Sequence, residues 1–304
     1  MRVIAPGKLV LTGAYAVLEG APAIVAAVDR YAVADVSQPD DKPSAEVRAA
    51  LGDEPAPRTD VRALRDETGR KLGLGSSAAA LVASLGARAF AHGEDPRSPL
   101  VRARIFRAAR AAHARAQGGG SGVDIAAAVH GGLLRYSTDD NGHASVRALR
   151  LPADLCIAVY DSGKSSRTST LRARLDAVRE RPEVVRLRRR LCDVAARASA
   201  ALDEADSDAF AGAARDFGDS LAAFGQACDV PIVLPSFAEL ASVARSHGAA
   251  FLPSGAGGGD AGVWIGRAPP PTNFAARAQS LLMRPLAIEI DCGGLRPESP
   301  PKKQ

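Results

Sequence analysis

A lysine directly behind a glycine, a serine pair behind a glycine loop and an aspartate behind a run of glycines are the residues of this 304-residue chain that could do chemistry. Lys8 closes Ala5-Pro6-Gly7-Lys8. Ser76 and Ser77 follow Gly73-Leu74-Gly75 and lead into Ala78 and Ala79. Asp124 closes Gly118-Gly119-Gly120-Ser121-Gly122-Val123-Asp124. Glycine suits a backbone that must come close to a ligand, because it leaves space and tolerates positive φ. Residues 73–79 run straight into an apolar, alanine-rich stretch at 78–90, so the loop opens a helix. A helix N-terminus presents N–H groups and the positive end of the dipole, and both favour phosphate. Nucleotide phosphate is therefore the first ligand to consider. Lys164 and Arg167 lie among Ser162, Ser165, Ser166 and Ser169, a setting that suits an anion. In Pro253-Ser254-Gly255-Ala256-Gly257-Gly258-Gly259-Asp260 the glycines exceed what a two-residue hairpin turn requires. Close packing against the phosphate loop is the expectation, with Asp260 as a cap or brace.

Each feature also has a plain structural alternative. Ser76 could be an N-cap, Lys8 a surface lysine snorkelling off a strand end and Asp124 a helix cap favoured by the dipole. The 162–170 segment could be an ordinary polar loop, and 253–260 a tight turn.

Hydrophobic periodicity supplies the elements that must position these residues. Strands are expected over 3–12 and 23–36, with a surface loop or irregular hairpin over 37–60. Helices are expected over 76–91 and 99–116, with a short one over 122–130. A strand pair follows at 133–136 and 146–151, then a strand over 155–160. Residues 168–227 read as helical with breaks near Pro182 and Ser207, and 236–247 as helix. Strands at 249–252, 262–265 and 286–291, with a helix at 273–282, complete an α+β chain. The expected division lies near residue 150: one lobe over 1–150, a second over 151–292, and a frayed polar tail over 293–304.

Composition narrows the class. Apolar residues make up 46% and the formal charge is +5, as in an ordinary globular protein large enough to bury a core. No apolar run approaches the ~20 residues that span a bilayer. The chain enters a polar motif at once, so no signal peptide, no membrane partner and a cytoplasmic location are expected. Cys156, Cys192, Cys228 and Cys292 are far apart and read as small core hydrophobes. The five histidines show no transition-metal spacing. Aromatics are only 4%, and no recognised motif accompanies the arginines at 186 and 188–190, which argues against nucleic acid. Those arginines read as a solvated helix face.

In order and spacing, five segments resemble the GHMP kinase superfamily. They are 5–20, 73–79, 117–126, 161–170 and 252–260. Tyr15 in the first motif, the absence of proline ahead of the phosphate loop and the Ser-Gly-Val-Asp spelling are most similar to its phosphomevalonate kinase branch. The resemblance implies a two-lobed α+β fold with an active-site cleft between lobes. It implies ATP and Mg²⁺ as cofactors, a small-molecule phosphorylated substrate, a place in isoprenoid biosynthesis and compatibility with a homodimer. It further implies Lys8 and Asp124 as the catalytic pair at the acceptor oxygen. Gly73, Leu74, Gly75, Ser76, Ser77, Ala78, Gly257 and Gly258 would bind the nucleotide, with the Ser77 hydroxyl on Mg²⁺. Lys8, Tyr15, Ser121, Gly122, Lys164, Ser165, Ser166, Arg167, Ser254 and Gly255 would face the acceptor. Mevalonate kinase, diphosphomevalonate decarboxylase and a non-catalytic ligand sensor are the alternatives. Two departures stand out. The first motif reads Gly13-Ala14-Tyr15, without the family's usual carboxylate at 14, and the stretch between Tyr31 and Gly73 is short.

Overall fold

The computed structural model describes residues 1–165 and 174–298. The chain forms two compact units. Unit 1 holds Met1–Leu9, Ala26–Gly132 and Glu289–Gln304; unit 2 holds Val10–Val25 and Leu133–Ile288. Strands β1 (Arg2–Thr12) and β2 (Ala23–Pro39) each begin in one unit and end in the other. A single cut near residue 150 therefore does not describe the chain. The hairpin of β4 (Leu133–Thr138) and β5 (Ala144–Leu149), paired from Leu133↔Leu149 to Thr138↔Ala144, belongs to unit 2. The C-terminal segment belongs to unit 1.

In unit 1, α1 (Ala45–Leu51), β3 (Pro57–Asp60), α2 (Ser76–Ala91), α3 (Pro99–Gln117) and α4 (Val123–His130) surround a core of small apolar side chains. Helix α2 is buried on nearly every side. Its alanines let neighbouring elements come close, as expected of a helix apolar all round. Helix α1 and strand β3 lie where a loop or irregular hairpin was expected. The Ser44 hydroxyl caps α1 by accepting the Val47 N–H, and β3 pairs with β2 from Val33↔Asp60 to Pro39↔Pro57. The helix was hidden because its seven residues offer little apolar periodicity and it is held by packing on α2 and α3. Proline at the start of α3 and left-handed Gly118 at its end give that helix clear limits.

Unit 2 holds a four-stranded sheet in the order β7-β8-β6-β9, from β6 (Cys156–Asp161), β7 (Ala250–Pro253), β8 (Ala261–Gly266) and β9 (Arg284–Leu286). Helices α5 (Pro182–Asp203), α6 (Ser207–Ala227), α7 (Pro235–Ser246) and α8 (Thr272–Ser280) accompany it. The break between α5 and α6 has a local cause: the Asp206 carboxylate accepts the Ala209 N–H and restarts the helix. Tyr160, Phe237, Phe251, Trp264 and Phe274 form one aromatic core, with ring centroids as close as 4.7 Å. The strand expected over 286–291 is shorter and earlier. Past Leu286 the chain leaves that ladder, and over 287–291 the bridge it makes is an isolated one, Val28↔Ile290, in unit 1.

The C-terminal residues up to 298 are packed, where fraying was expected. Strand β10 (Arg296–Pro297) pairs with β1, and Leu295 is fully buried. Asp291 is the anchor. Its carboxylate takes hydrogen bonds from the Gly293 and Gly294 N–H groups, the Tyr31 hydroxyl and the Arg296 guanidinium at 2.7–3.0 Å. Burial alone would raise the Asp291 pKa, but the bonds from Arg296, Tyr31 and Gly294 outweigh it and hold the carboxyl below its usual range. A carboxylate that ionises more easily when folded stabilises the fold above its unfolded pKa of about 3.9. That contribution is lost as the pH falls through the folded value. Asp291→Asn should therefore cost about 1.5–3 kcal/mol at pH 7. The gap in melting temperature between wild type and variant should narrow below about pH 4. A gap independent of pH would show that packing, not charge, holds the segment.

Of the cysteines, only Cys228 is buried, Cys156 and Cys192 are half-buried, Cys292 is exposed and all four are free thiols. The reading of all four as core residues thus holds for Cys228 alone. Among the described residues, no helix is long and apolar enough to cross a membrane.

Candidate active site

In unit 1 the first helical turn of α2 meets Lys8 and Asp124. Gly75 occupies the N-cap position at φ 76°, ψ 36°, so the helix starts with no side-chain cap. The reading of Ser76 as a cap is thereby replaced: Ser76 is the first helical residue, buried, and Ser77 is half-buried beside it. The N–H groups of such a turn point out along the axis, where a phosphate can accept from them.

Gly75 is glycine for two reasons. Its left-handed backbone disfavours any Cβ. A Cβ there would also lie 2.9 Å from Lys8 Cγ, 3.4 Å from Lys8 Cε and 3.8 Å from Asp124 Cβ. Lys8 and Asp124, 116 positions apart in sequence, thus flank one glycine. Lys8 is held in β1 by its own N–H, which donates to the Leu74 carbonyl at 2.9 Å, and its Nζ donates to the Gly73 carbonyl at 2.9 Å. These bonds tie the lysine to the backbone of the 73–75 loop. Asp124 sits in the first turn of α4, behind Gly122 at φ 83°. Its Oδ1 accepts the Ile125 N–H at 3.0 Å, and its Oδ2 lies 3.7 Å from His113 Nε2. His113, on α3, is 5% exposed. Sequence reasoning missed it, because a lone histidine in an alanine- and arginine-rich helix carries no signal until folding sets it against an acid. Ser121, just ahead of α4, accepts the Val123 N–H at 3.4 Å and stands with Gly122 at that helix start.

Unit 2 carries the other glycine loop, between β7 and β8. The close approach that it makes is to neighbouring backbone of its own unit. A Cβ on Gly257 would stand 2.2 Å from the Ile232 carbonyl, and one on Gly259 would stand 2.9 Å from the Lys164 carbonyl. Gly258 donates to Ile232 O at 2.8 Å, and Asp260 donates to Lys164 O at 2.7 Å and accepts from Ser162 N–H at 2.9 Å. Asp260 is thus a backbone brace for the loop, and Lys164 is drawn beside it. Ser254 is buried, with its hydroxyl accepting the Val10 N–H at 3.0 Å. Gly255 follows it at φ 90°. Tyr15 stands at φ 63°, packs on Phe224 and donates its hydroxyl to the Ala256 carbonyl. Burial, and then the nearby Cys228 thiol, push the Tyr15 pKa well above its usual value, so the phenol stays a donor to this loop. Ala14, in place of the carboxylate usual in the resembled motif, is buried beside it. Lys164 and Ser165 are exposed. Ser166, Arg167 and Ser169 lie outside the described residues. On α5, Arg188 is mostly covered and holds Glu19 at 3.0 Å, while Arg186 pairs with Glu183 on the helix surface. A solvated face therefore describes Arg186 but not Arg188.

A helix start facing a lysine and an aspartate is an arrangement for binding and transferring a phosphoryl group. Residues 48–132, which include the start of α2 and Asp124, match the GHMP kinases N terminal domain. The chain therefore carries that domain. It is 29% identical to a phosphomevalonate kinase of Streptomyces sp. (strain CL190), over 85% of this chain and 88% of that one. Its fold is similar to that of a Lin0012 protein from Listeria innocua, at TM-score 0.82 and 23% identity over 98% of this chain and 99% of the other. It is also similar to Streptococcus pneumoniae phosphomevalonate kinase in complex with phosphomevalonate and AMPPNP, at TM-score 0.78 and 19% identity over 95% and 99%.

Proposed function

We propose that this protein transfers the γ-phosphoryl group of ATP to 5-phosphomevalonate, giving ADP and 5-diphosphomevalonate. The observation that carries the reading is the meeting of Lys8 and Asp124 at Gly75, where α2 begins. Similarity to a phosphomevalonate kinase over most of both chains supports the choice of acceptor.

The N–H groups of Ser76, Ser77 and Ala78 cradle the nucleotide phosphates. Lys8 presents its ammonium to the charge spreading over the transferred group, and the Gly73 carbonyl keeps it aimed. Asp124 orients Lys8 and accepts a proton where the acceptor arrives protonated. Magnesium fits this donor set. It favours hard oxygen ligands, so the Ser77 hydroxyl would be the protein's ligand to it, and the ion would supply charge to neutralise the phosphates. On sequence grounds, Lys164 is assigned the positive charge for the phosphate that the acceptor already carries, and Ser165, Tyr15, Ser254 and Gly255 are assigned to the acceptor. Ser166 and Arg167 join Lys164 in this assignment on sequence grounds. The protein works in the cytoplasm on small molecules, and a homodimer is compatible with this reading.

Coupled ADP release with mevalonate, phosphomevalonate, diphosphomevalonate and homoserine tests the acceptor. Turnover with phosphomevalonate alone is expected; turnover with mevalonate alone would make the protein a mevalonate kinase. Lys164→Ala should raise KM for phosphomevalonate by one to two decades, the loss of one charge-assisted contact of roughly 1.5–3 kcal/mol. KM for ATP should move far less. Equal effects on both substrates would point to a general structural role for the Lys164 side chain.

A further inference from the structure

The buried imidazole of His113 has no function in the reading above. Its Nε2 is enclosed and has no hydrogen-bond partner among the described residues. Buried ring nitrogens are ordinarily satisfied, so an orphan of this kind needs an explanation. The carboxylate oxygen that faces it is Asp124 Oδ2, 3.7 Å away, a few tenths of an ångström beyond hydrogen-bond reach. The other oxygen of Asp124 already accepts the Ile125 N–H of its own helix. One oxygen is thus fixed by α4 and the other faces α3. Between the two helices run Gly118, Gly119, Gly120 and Gly122, all at positive φ, a connection with little side-chain bulk to resist a small adjustment.

The surroundings favour a donor at Nε2. Glu46, on α1, accepts from Gln117 one turn beyond His113. Its pKa is raised by burial, but hydrogen bonds from Gln117 and Ser44, together with the charge of His113, bring it below the usual value. His113 is therefore flanked by carboxylates on α1 and α4. Arg110, one turn earlier on α3, lies against Gly122.

We propose that His113 is a positioning residue for phosphoryl transfer: its Nε2–H closes on Asp124 Oδ2 and fixes that carboxylate on the Gly75 side, beside Lys8. The role rests on the kinase reading, since Asp124 is the group that acts. His113 touches neither substrate nor the transferred group, and it works by removing rotational freedom from a side chain that does. Preorganisation of this kind affects turnover more than binding.

The test compares His113→Met, which keeps volume without the donor, with His113→Gln, whose amide N–H reaches close to the Nε2 position. His113→Met should lower kcat about tenfold, with KM for ATP and for phosphomevalonate within about twofold of wild type. His113→Gln should recover most of that loss. In an Asp124→Asn background, His113→Met should cause no further fall in kcat. Carboxyl ¹³C NMR of Asp124 gives a readout without turnover: its chemical shift at neutral pH should move in His113→Met, which loses the donor, and stay close to wild type in His113→Gln. If His113→Met does not fold, His113→Asn, whose shorter amide cannot reach, replaces it. Unchanged kcat in His113→Met, or losses in Met and Gln that simply track melting temperature, would overturn the proposal. Wild type inactive on every acceptor would instead sink the kinase reading, and the NMR comparison of the variants would still decide whether His113 holds Asp124.

Discussion

Lys8→Met should lower kcat by about two to three orders of magnitude while leaving the fold intact, the usual loss when one charge-stabilising donor is removed from a transition state. The ammonium is anchored at the Gly73 carbonyl and lies along Gly75, so its removal takes charge from the helix start where phosphate would sit. Asp124→Asn keeps the volume of the side chain and should show a loss of similar size. Because the two side chains flank the same glycine, each is expected to be of little use without the other. The double variant should then be far less impaired than the product of the two single losses. Steady-state kcat for the four proteins, with circular dichroism to check folding, decides the matter. Losses that multiply cleanly would mean that Lys8 and Asp124 act independently.

A comparable loss is expected from a single methyl group at Gly75. In Gly75→Ala the new Cβ would press on Lys8 Cγ at 2.9 Å and approach Asp124 Cβ. The N-cap backbone would also be asked to hold alanine in the left-handed region, at a cost of roughly 1–2 kcal/mol. The chain can give way only by moving Lys8 or the start of α2. A misplacement near 1 Å in such a site costs about 10²-fold in rate. Gly93 is the control. It lies just beyond the other end of the same helix at φ 81°, and no described residue comes within 4 Å of where its methyl group would stand. Gly93→Ala should cost similar stability and leave kcat within about twofold of wild type. If the two variants lose activity equally, conformational strain in α2 and not crowding of Lys8 is responsible.

How much of this was written in the chain depends on the range of the interaction. The limits of α2, α3 and α6 were legible, because Gly75, Pro99 and Asp206 act through their own backbone or within one turn. The candidate residues Lys8, Ser77 and Asp124 were legible as types at glycine-rich positions. Helix α1 was not, since its face is decided by packing on α2 and α3. The packed C-terminal segment was not, since polar residues with proline read as a tail until Arg296 meets Asp291 and Tyr31, 5 and 265 positions away. The 254–260 loop shows the same limit from the other side. Its excess of glycine was read as close packing against the phosphate loop, and the neighbours that the fold gives Gly257 and Gly259 are instead the carbonyls of Ile232 and Lys164.

The sequence by itself determined where α2, α3 and α6 start and which glycine-rich positions carry residues of a type suited to phosphate. Those properties follow from φ preferences, capping and apolar periodicity, all of which act over a few residues. The tertiary structure decided that Lys8 and Asp124 share Gly75, that His113 faces Asp124 and that residues 289–298 complete the first unit. Lys8 and Asp124 are 116 positions apart and Tyr31 and Arg296 are 265 apart, while His113 and Asp124, only 11 apart, sit on different helices whose packing sets their approach; no local pattern encodes which partner closes any of them.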